Sequence, residues 1–234
     1  MPSPVIVALD VESKEEALAL VAALGDAADF YKVGLQLLTE AGPDVVRTLV
    51  DMGKHVFLDL KLHEIPNSVA GAVAAAGRLG ASMVTVHASG GSAVLRAAVQ
   101  AAAPFPNLRV LALTVITSLT DNDLPEIGLA PSVQQQVLRL ARLAAEAGCH
   151  GVVASAQEAA LLKDVLPVGM LIITPGIQLP ESGAANDQAR IASPQVAAAA
   201  GATHIVMGRA ITQASQPCLA FALAESSFRD GTHG

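Results

Sequence analysis

Apolar and polar positions alternate along this chain in blocks rather than residue by residue. Short runs rich in Val, Ile and Leu recur: VIVALD (5–10), FYKVGL (30–35), HVFLDL (55–60), MVTVHA (83–88), RVLALTVI (109–116), GVVASA (151–156), LIITPGI (171–177) and HIVMGRA (204–210). Their apolar continuity predicts strands covered on both faces, as in a parallel sheet. Between them lie Ala- and Leu-rich segments with helical spacing, such as SKEEALALVAAL (13–24) and QQQVLRLARLAAEAG (134–148). Ser13 followed by Glu16 reads as a capping box at the start of the first helix. Gly25, Gly53, Gly80, Gly148 and Gly201 stand where a helix has to stop before the next strand.

The pattern is a βα unit repeated eight times with no linker and no shift in composition. It predicts one α/β domain over residues 1–234, a closed (β/α)8 TIM barrel. An open doubly wound sheet is the runner-up; no G-x-G-x-x-G follows the first strand, which counts against a dinucleotide fold. A hydrophobic content of 52% gives ample material for a core. The net charge of −7 and the lack of a basic stripe argue against a nucleic-acid partner, while leaving room for a small anionic ligand in a local basic cluster. Cys149 and Cys218 lack metal-ligand spacing and are expected as buried free thiols. The start MPSPVIVALD lacks the basic and long apolar regions of a secretory signal, and no run is long and apolar enough to span a membrane. A reducing cytoplasm is therefore expected.

Polar residues gather at the C-terminal ends of the expected strands: Asp10, Asp59 with Lys61, His87, Thr114 with Thr117, Ser155, Thr174 and Arg209, with Lys32 inside the second. A single such residue is ordinarily a loop cap. Together, on the face where barrels of this kind build their sites, they read as one site.

The segment DLKLHEIPNS (59–68) is the sharpest of these signals, because an apolar run ends in alternating charge. Residues two apart in a strand point the same way, so Asp59 and Lys61 share a direction, with Asp10 and Lys32 arriving from the two preceding strands. Such neighbours hold one another in their charged forms. A purely stabilising network explains them poorly, since apolar residues would serve as well. A cationic Lys is a proton donor poised for a developing carbanion. A carboxylate fixed beside it crowds an anionic group on the substrate and favours its loss as a neutral molecule. Decarboxylation fits, and without a signature for pyridoxal phosphate, thiamine or metal the reaction is expected to need no cofactor. TPGIQL (174–179), which contains Pro175, and MGRAIT (207–212) follow the last two strands, where barrels often bind phosphate; Gly208 permits close approach and Arg209 can fork onto phosphate oxygens. The polar stretch 178–190 reads as a loop that closes over the ligand.

VALD, YKVGLQLLTEAGP, FLDLKLHEIPNSV, LTVITS, ITPGIQL, NDQARI and VMGRAIT occur in this order and cover nearly the whole chain. In this the chain resembles the orotidine 5′-phosphate decarboxylase family in its shorter bacterial form. The most specific part is the D-x-K-x-x-acid stretch followed by I-P-N. The resemblance implies a barrel working as a homodimer on orotidine 5′-monophosphate, releasing UMP, with its sites near the subunit interface. It makes Lys61 the proton donor to C6 of the pyrimidine and puts Asp59 beside the leaving carboxylate. Lys32 and Asp10 would hold the ribose hydroxyls, and Thr117 would meet the pyrimidine. Gln188, Gly208 and Arg209 would hold phosphate, with Pro175 and Gln178 beside them. Glu64 would reach into the partner's site, with Ile65 and Ser68 near it. Two positions depart from the family pattern: Glu64 stands where Asp is usual, and Gln178 stands where Arg completes TPGIR. The first puts the geometry of the array at stake, since misplacement by about 1 Å costs on the order of 100-fold in rate. The second predicts phosphate binding weaker by about 1–3 kcal/mol.

His63 is expected to pack or hydrogen-bond rather than to catalyse, and His87 is open between the two. Tyr31 is expected to pack on the helix side, and residues 117–129 to form an excursion between the fifth strand and its helix. Two other readings remain: a sister barrel that uses Mg²⁺ to hold an enediolate during decarboxylation or aldol chemistry of a keto-sugar phosphate, and a non-catalytic nucleotide-binding barrel.

Overall fold

The computed structural model describes residues 3–179 and 191–232. Eight strands, β1 (Val5–Ala8), β2 (Phe30–Gly34), β3 (His55–Leu62), β4 (Met83–His87), β5 (Arg109–Leu113), β6 (Gly151–Val153), β7 (Leu171–Thr174) and β8 (His204–Met207), pair in sequence order, all parallel. β1 pairs with β8, so the sheet closes into a barrel. The helices α1 (Lys14–Leu24), α2 (Leu35–Ala41), α3 (Asp44–Asp51), α4 (Pro66–Arg78), α5 (Ser92–Ala102), α6 (Val133–Glu146), α7 (Ala156–Val165), α8 (Pro194–Ala199), α9 (Arg209–Thr212) and α10 (Pro217–Thr232) occupy the connections between strands and the chain end. This is the (β/α)8 TIM barrel that the repeated pattern predicts.

Strand alternation sorts the core into two layers. Ile6, Ala8, Phe30, Phe57, Met83, Leu111, Leu113, Val153, Ile173 and Val206 fill the barrel interior. Val5, Val7, Leu9, Tyr31, Val33, Val56 and Leu58 point the other way and pack beneath the helices. Tyr31 is fully buried there, its hydroxyl donating to the Ala28 carbonyl.

The helix signals act locally as expected, with one variation. Ser13 Oγ accepts the Glu16 N–H, but the Glu16 carboxylate accepts from Glu12 N–H rather than from Ser13. Gly25, Gly53, Gly80, Gly148 and Gly201 all have positive φ, the conformation that ends a helix at least cost to glycine. The fifth to eighth strands are shorter than the apolar runs that announce them: pairing stops at Leu113, Val153, Thr174 and Met207, and Ala156 and Arg209 open helices instead. The excursion at 117–129 carries a 3₁₀ turn at Leu124–Ile127. Cys149 is buried as expected, but Cys218 is exposed: the second residue of α10, it points its thiol at the Ala23 carbonyl 3.0 Å away at the end of α1. Among the described residues no helix is long and apolar enough to cross a membrane.

Candidate active site

A cavity of about 610 Å³ opens at the C-terminal ends of the strands. Asp10, Lys32, Asp59, Lys61, Thr117, Pro175, Gln178, Gly208 and Arg209 line it. The cavity thus brings together residues from β2 and β3 and from the segments after β1, β5, β7 and β8. Four other strand-end residues lie outside the lining, which corrects the expectation that all of them share one site. Thr114 and Thr174 each follow an inward residue, Leu113 and Ile173, and so face outward. Thr114 donates its hydroxyl proton to Val153 O. Ser155 donates to the buried Glu158 carboxylate. His87 stacks on His63, with centroids 4.9 Å apart, and its Nδ1 meets Ser89 Oγ. Burial, with the His63 ring and the Lys61 ammonium nearby, pushes the His87 imidazole below its ordinary range.

The charged side chains form a line. Lys32 Nζ donates to Asp10 Oδ1 at 2.8 Å and stands 4.0 Å from Asp59 Oδ2, which accepts from Lys61 Nζ at 2.8 Å. Lys32 and Asp59 are the enclosed members, with side chains 11% and 13% exposed; those of Lys61 and Asp10 are 35% and 55% exposed. Screening is weakest around the two inner charges, so their mutual orientation matters most. Gly34 makes room for this line: a Cβ there would lie 3.0 Å from Lys32 Nζ and 3.3 Å from Asp10 Oδ1. Gly208 is similarly close, with Ala8 Cβ at 3.6 Å and Asp10 Oδ2 at 3.9 Å from such an atom.

Lys61 does not sit in a regular strand. β3 pairs Leu58 with Val84 and then Leu62 with Val86, so three residues of β3 face Thr85 alone. Lys61 takes φ 49°, the only non-glycine positive φ among the described residues. That conformation costs an ordinary residue about 1–2 kcal/mol, and such strain tends to be kept at functional sites. The Lys61 N–H, which has left the ladder, donates to Thr85 Oγ1 at 2.9 Å, and Thr85 Oγ1 donates to Asp59 Oδ1 at 2.9 Å.

Glu64, Ile65 and Ser68 are exposed around the start of α4 and do not line the cavity of their own chain. Glu64 Oε2 accepts from Ile65 N–H at 2.7 Å. Gln188 lies outside the described residues, as does most of the expected closing loop. The ends flanking that segment lie side by side, with an isolated parallel bridge between Ile177 and Ala192 and Gln178 N–H donating to Ala192 O at 3.0 Å. Among the described residues no cluster of three or more His, Cys, Asp or Glu could hold a metal ion.

With this geometry in view, a family model described as orotidine 5′-phosphate decarboxylase / HUMPS family matches residues 3–222. The chain belongs to that family. Family relatives named orotidine 5′-phosphate decarboxylase include one from Idiomarina loihiensis, 47% identical over 91% of this chain and 92% of its own. Another, from Sodalis glossinidius, is 45% identical over 98% of this chain and 91% of its own. A crystal structure of orotidine 5′-phosphate decarboxylase from Lactobacillus acidophilus superposes with a TM-score of 0.86 at 36% identity, covering 97% of this chain and 99% of that one.

Proposed function

We infer that this protein decarboxylates orotidine 5′-monophosphate to UMP and CO₂ in pyrimidine biosynthesis. Family membership and the names of its relatives support the activity. The observation that carries the mechanism is the line Asp10–Lys32–Asp59–Lys61 along one cavity.

The Asp59 carboxylate is fixed between two ammonium groups. A substrate carboxylate brought next to it is repelled, and the repulsion ends when that group leaves as CO₂. The C6–carboxylate bond breaks, and its electron pair stays on C6. The Lys61 ammonium stabilises the developing carbanion and gives it a proton, leaving a neutral amine that regains its proton from solvent. Asp10 and Lys32 take the ribose hydroxyls, Thr117 meets the pyrimidine, and Pro175, Gln178, Gln188, Gly208 and Arg209 take the phosphate. The site works without cofactor, in the cytoplasm, as a homodimer in which Glu64, Ile65 and Ser68 serve the partner's cavity. Their exposure beside, but outside, their own cavity supports that arrangement.

The test is the fall in ultraviolet absorbance when orotidine 5′-monophosphate is added in the presence of EDTA. Turnover in EDTA, reduced at least about 10²–10⁴-fold in Lys61→Ala, is expected; no turnover of orotidine 5′-monophosphate, with Mg²⁺-dependent turnover of a keto-sugar phosphate in its place, would move the chain to that reading. The dimer has its own check. Mixing the inactive Lys61→Ala and Glu64→Ala chains should restore about a quarter of wild-type activity, because half the dimers then hold one intact site of two. No recovery after subunit exchange would put Glu64 outside the partner's site.

A further inference from the structure

We propose that Thr85 is a positioning residue for the reaction, its hydroxyl locking the Lys61 backbone and the Asp59 carboxylate into one geometry. The proposal rests on the decarboxylase reading above. Thr85 is fully buried in the middle of β4, two residues on from the inward-facing Met83. It lies opposite the irregular stretch of β3, where Asp59, Leu60 and Lys61 have one partner residue among them on β4.

The direction of each hydrogen bond is forced. An amide N–H only donates, so Lys61 N–H gives to Thr85 Oγ1. An ionised carboxylate only accepts, so the single hydroxyl proton of Thr85 goes to Asp59 Oδ1. The hydroxyl has no second proton to offer and no freedom to turn without breaking one bond. Two consequences follow. Asp59 Oδ1 is occupied, so Oδ2 is the oxygen presented to Lys61 Nζ at 2.8 Å and to Lys32 Nζ at 4.0 Å. The strained φ of Lys61 is held by an acceptor that stands in for the lost strand partner. One side chain thus sets both the carboxylate that faces the leaving group and the backbone that carries the proton donor. Removing the hydroxyl leaves a partly buried amide without its acceptor and frees the carboxylate to rotate.

Thr85→Val removes the hydroxyl at nearly constant shape, and Thr85→Ser keeps it. In steady-state decarboxylation, Thr85→Val is expected to lose about 10–100-fold in kcat. UMP affinity, measured by calorimetry, should stay within about threefold, because the hydroxyl acts on catalytic groups rather than on the ligand. Thr85→Ser should recover kcat to within about threefold of wild type. If Val prevents folding, Thr85→Ala is read by the same criteria. A Thr85→Val enzyme as fast as wild type overturns the proposal while leaving the decarboxylase reading intact. So does a Ser variant as slow as the Val one, or a loss of UMP affinity that matches the loss of kcat. A second readout needs no turnover: hydrogen exchange at the Lys61 amide by NMR, fast in Thr85→Val and slow again in Thr85→Ser. Should wild type itself fail to decarboxylate, the functional reading falls. The clamp is then judged on that exchange alone, and equal exchange in all three proteins overturns it.

Discussion

Two charged residues at the centre of the site are enclosed, and two at its ends are open to solvent. Substitutions at this scale should therefore act differently according to position. Gln178 lines the cavity in the place where the family pattern expects an Arg, so one cation is missing near the proposed phosphate. Gln178→Arg is expected to tighten UMP binding by about 1–3 kcal/mol through a charge-assisted hydrogen bond. Uridine, which lacks the phosphate, should bind no better. Calorimetry on both ligands checks this; an equal gain for uridine would place Gln178 away from the phosphate.

At the scale of elements, the site depends on where β2 and β3 end. Gly34 closes β2 and precedes α2 with φ −94°, a backbone that alanine also adopts. Its requirement is space alone, for the Lys32–Asp10 pair beside it. Gly34→Ala should push Lys32 off Asp10 and lower kcat/KM by about 10-fold or more, with little change in Tm, because the neighbour that must yield is a flexible side-chain tip. A wild-type rate would show that the pair has slack. Elements of this kind explain what the sequence made legible. Apolar runs and stop glycines announce all eight βα units, and alternation correctly joins Asp59 to Lys61, because Leu58, Leu60 and Leu62 all pack on the helix side. The irregular pairing of β3 does not appear, since three residues facing one leaves no trace in an apolar pattern. Thr85 carries no mark in the sequence either, because a Thr inside a strand looks like any good strand former. Thr114 and Thr174 face away from the site, which the pattern does not reveal, because the end of a strand carries no mark of which way its last residue faces. Cys218 has apolar neighbours in sequence, yet it is exposed near the start of α10, its thiol turned to the end of α1.

Across the whole molecule the two ends of the barrel differ. The C-terminal end holds the Asp10–Lys32–Asp59–Lys61 line, and rings pack on one another at the N-terminal end around Phe30. Phe30 sits against His55 at 5.6 Å and, edge-on, against His204 at 6.2 Å. Burial pushes the His204 imidazole down to about 4 from its ordinary 6.5, while its Nδ1 meets Thr203 Oγ1. The folded state therefore prefers the neutral ring. As pH falls below 6.5 the unfolded chain takes up this proton first, so stability declines between pH 6.5 and 4 and this contribution levels off below. The full shift corresponds to about 3 kcal/mol, an upper value because solvent screens part of it. Burial also depresses His87 and His150, which adds loss in the same direction. Asp44 and Asp123 are held below 3.8, so their contributions disappear only at lower pH and leave the window to the imidazoles. Urea unfolding of wild type and His204→Phe at pH 7, 5.5 and 4.5 separates these effects. The variant, which keeps the ring packing and loses the titration, should show a distinctly flatter decline. Parallel curves would assign the acid sensitivity to other groups and leave His204 a packing residue only.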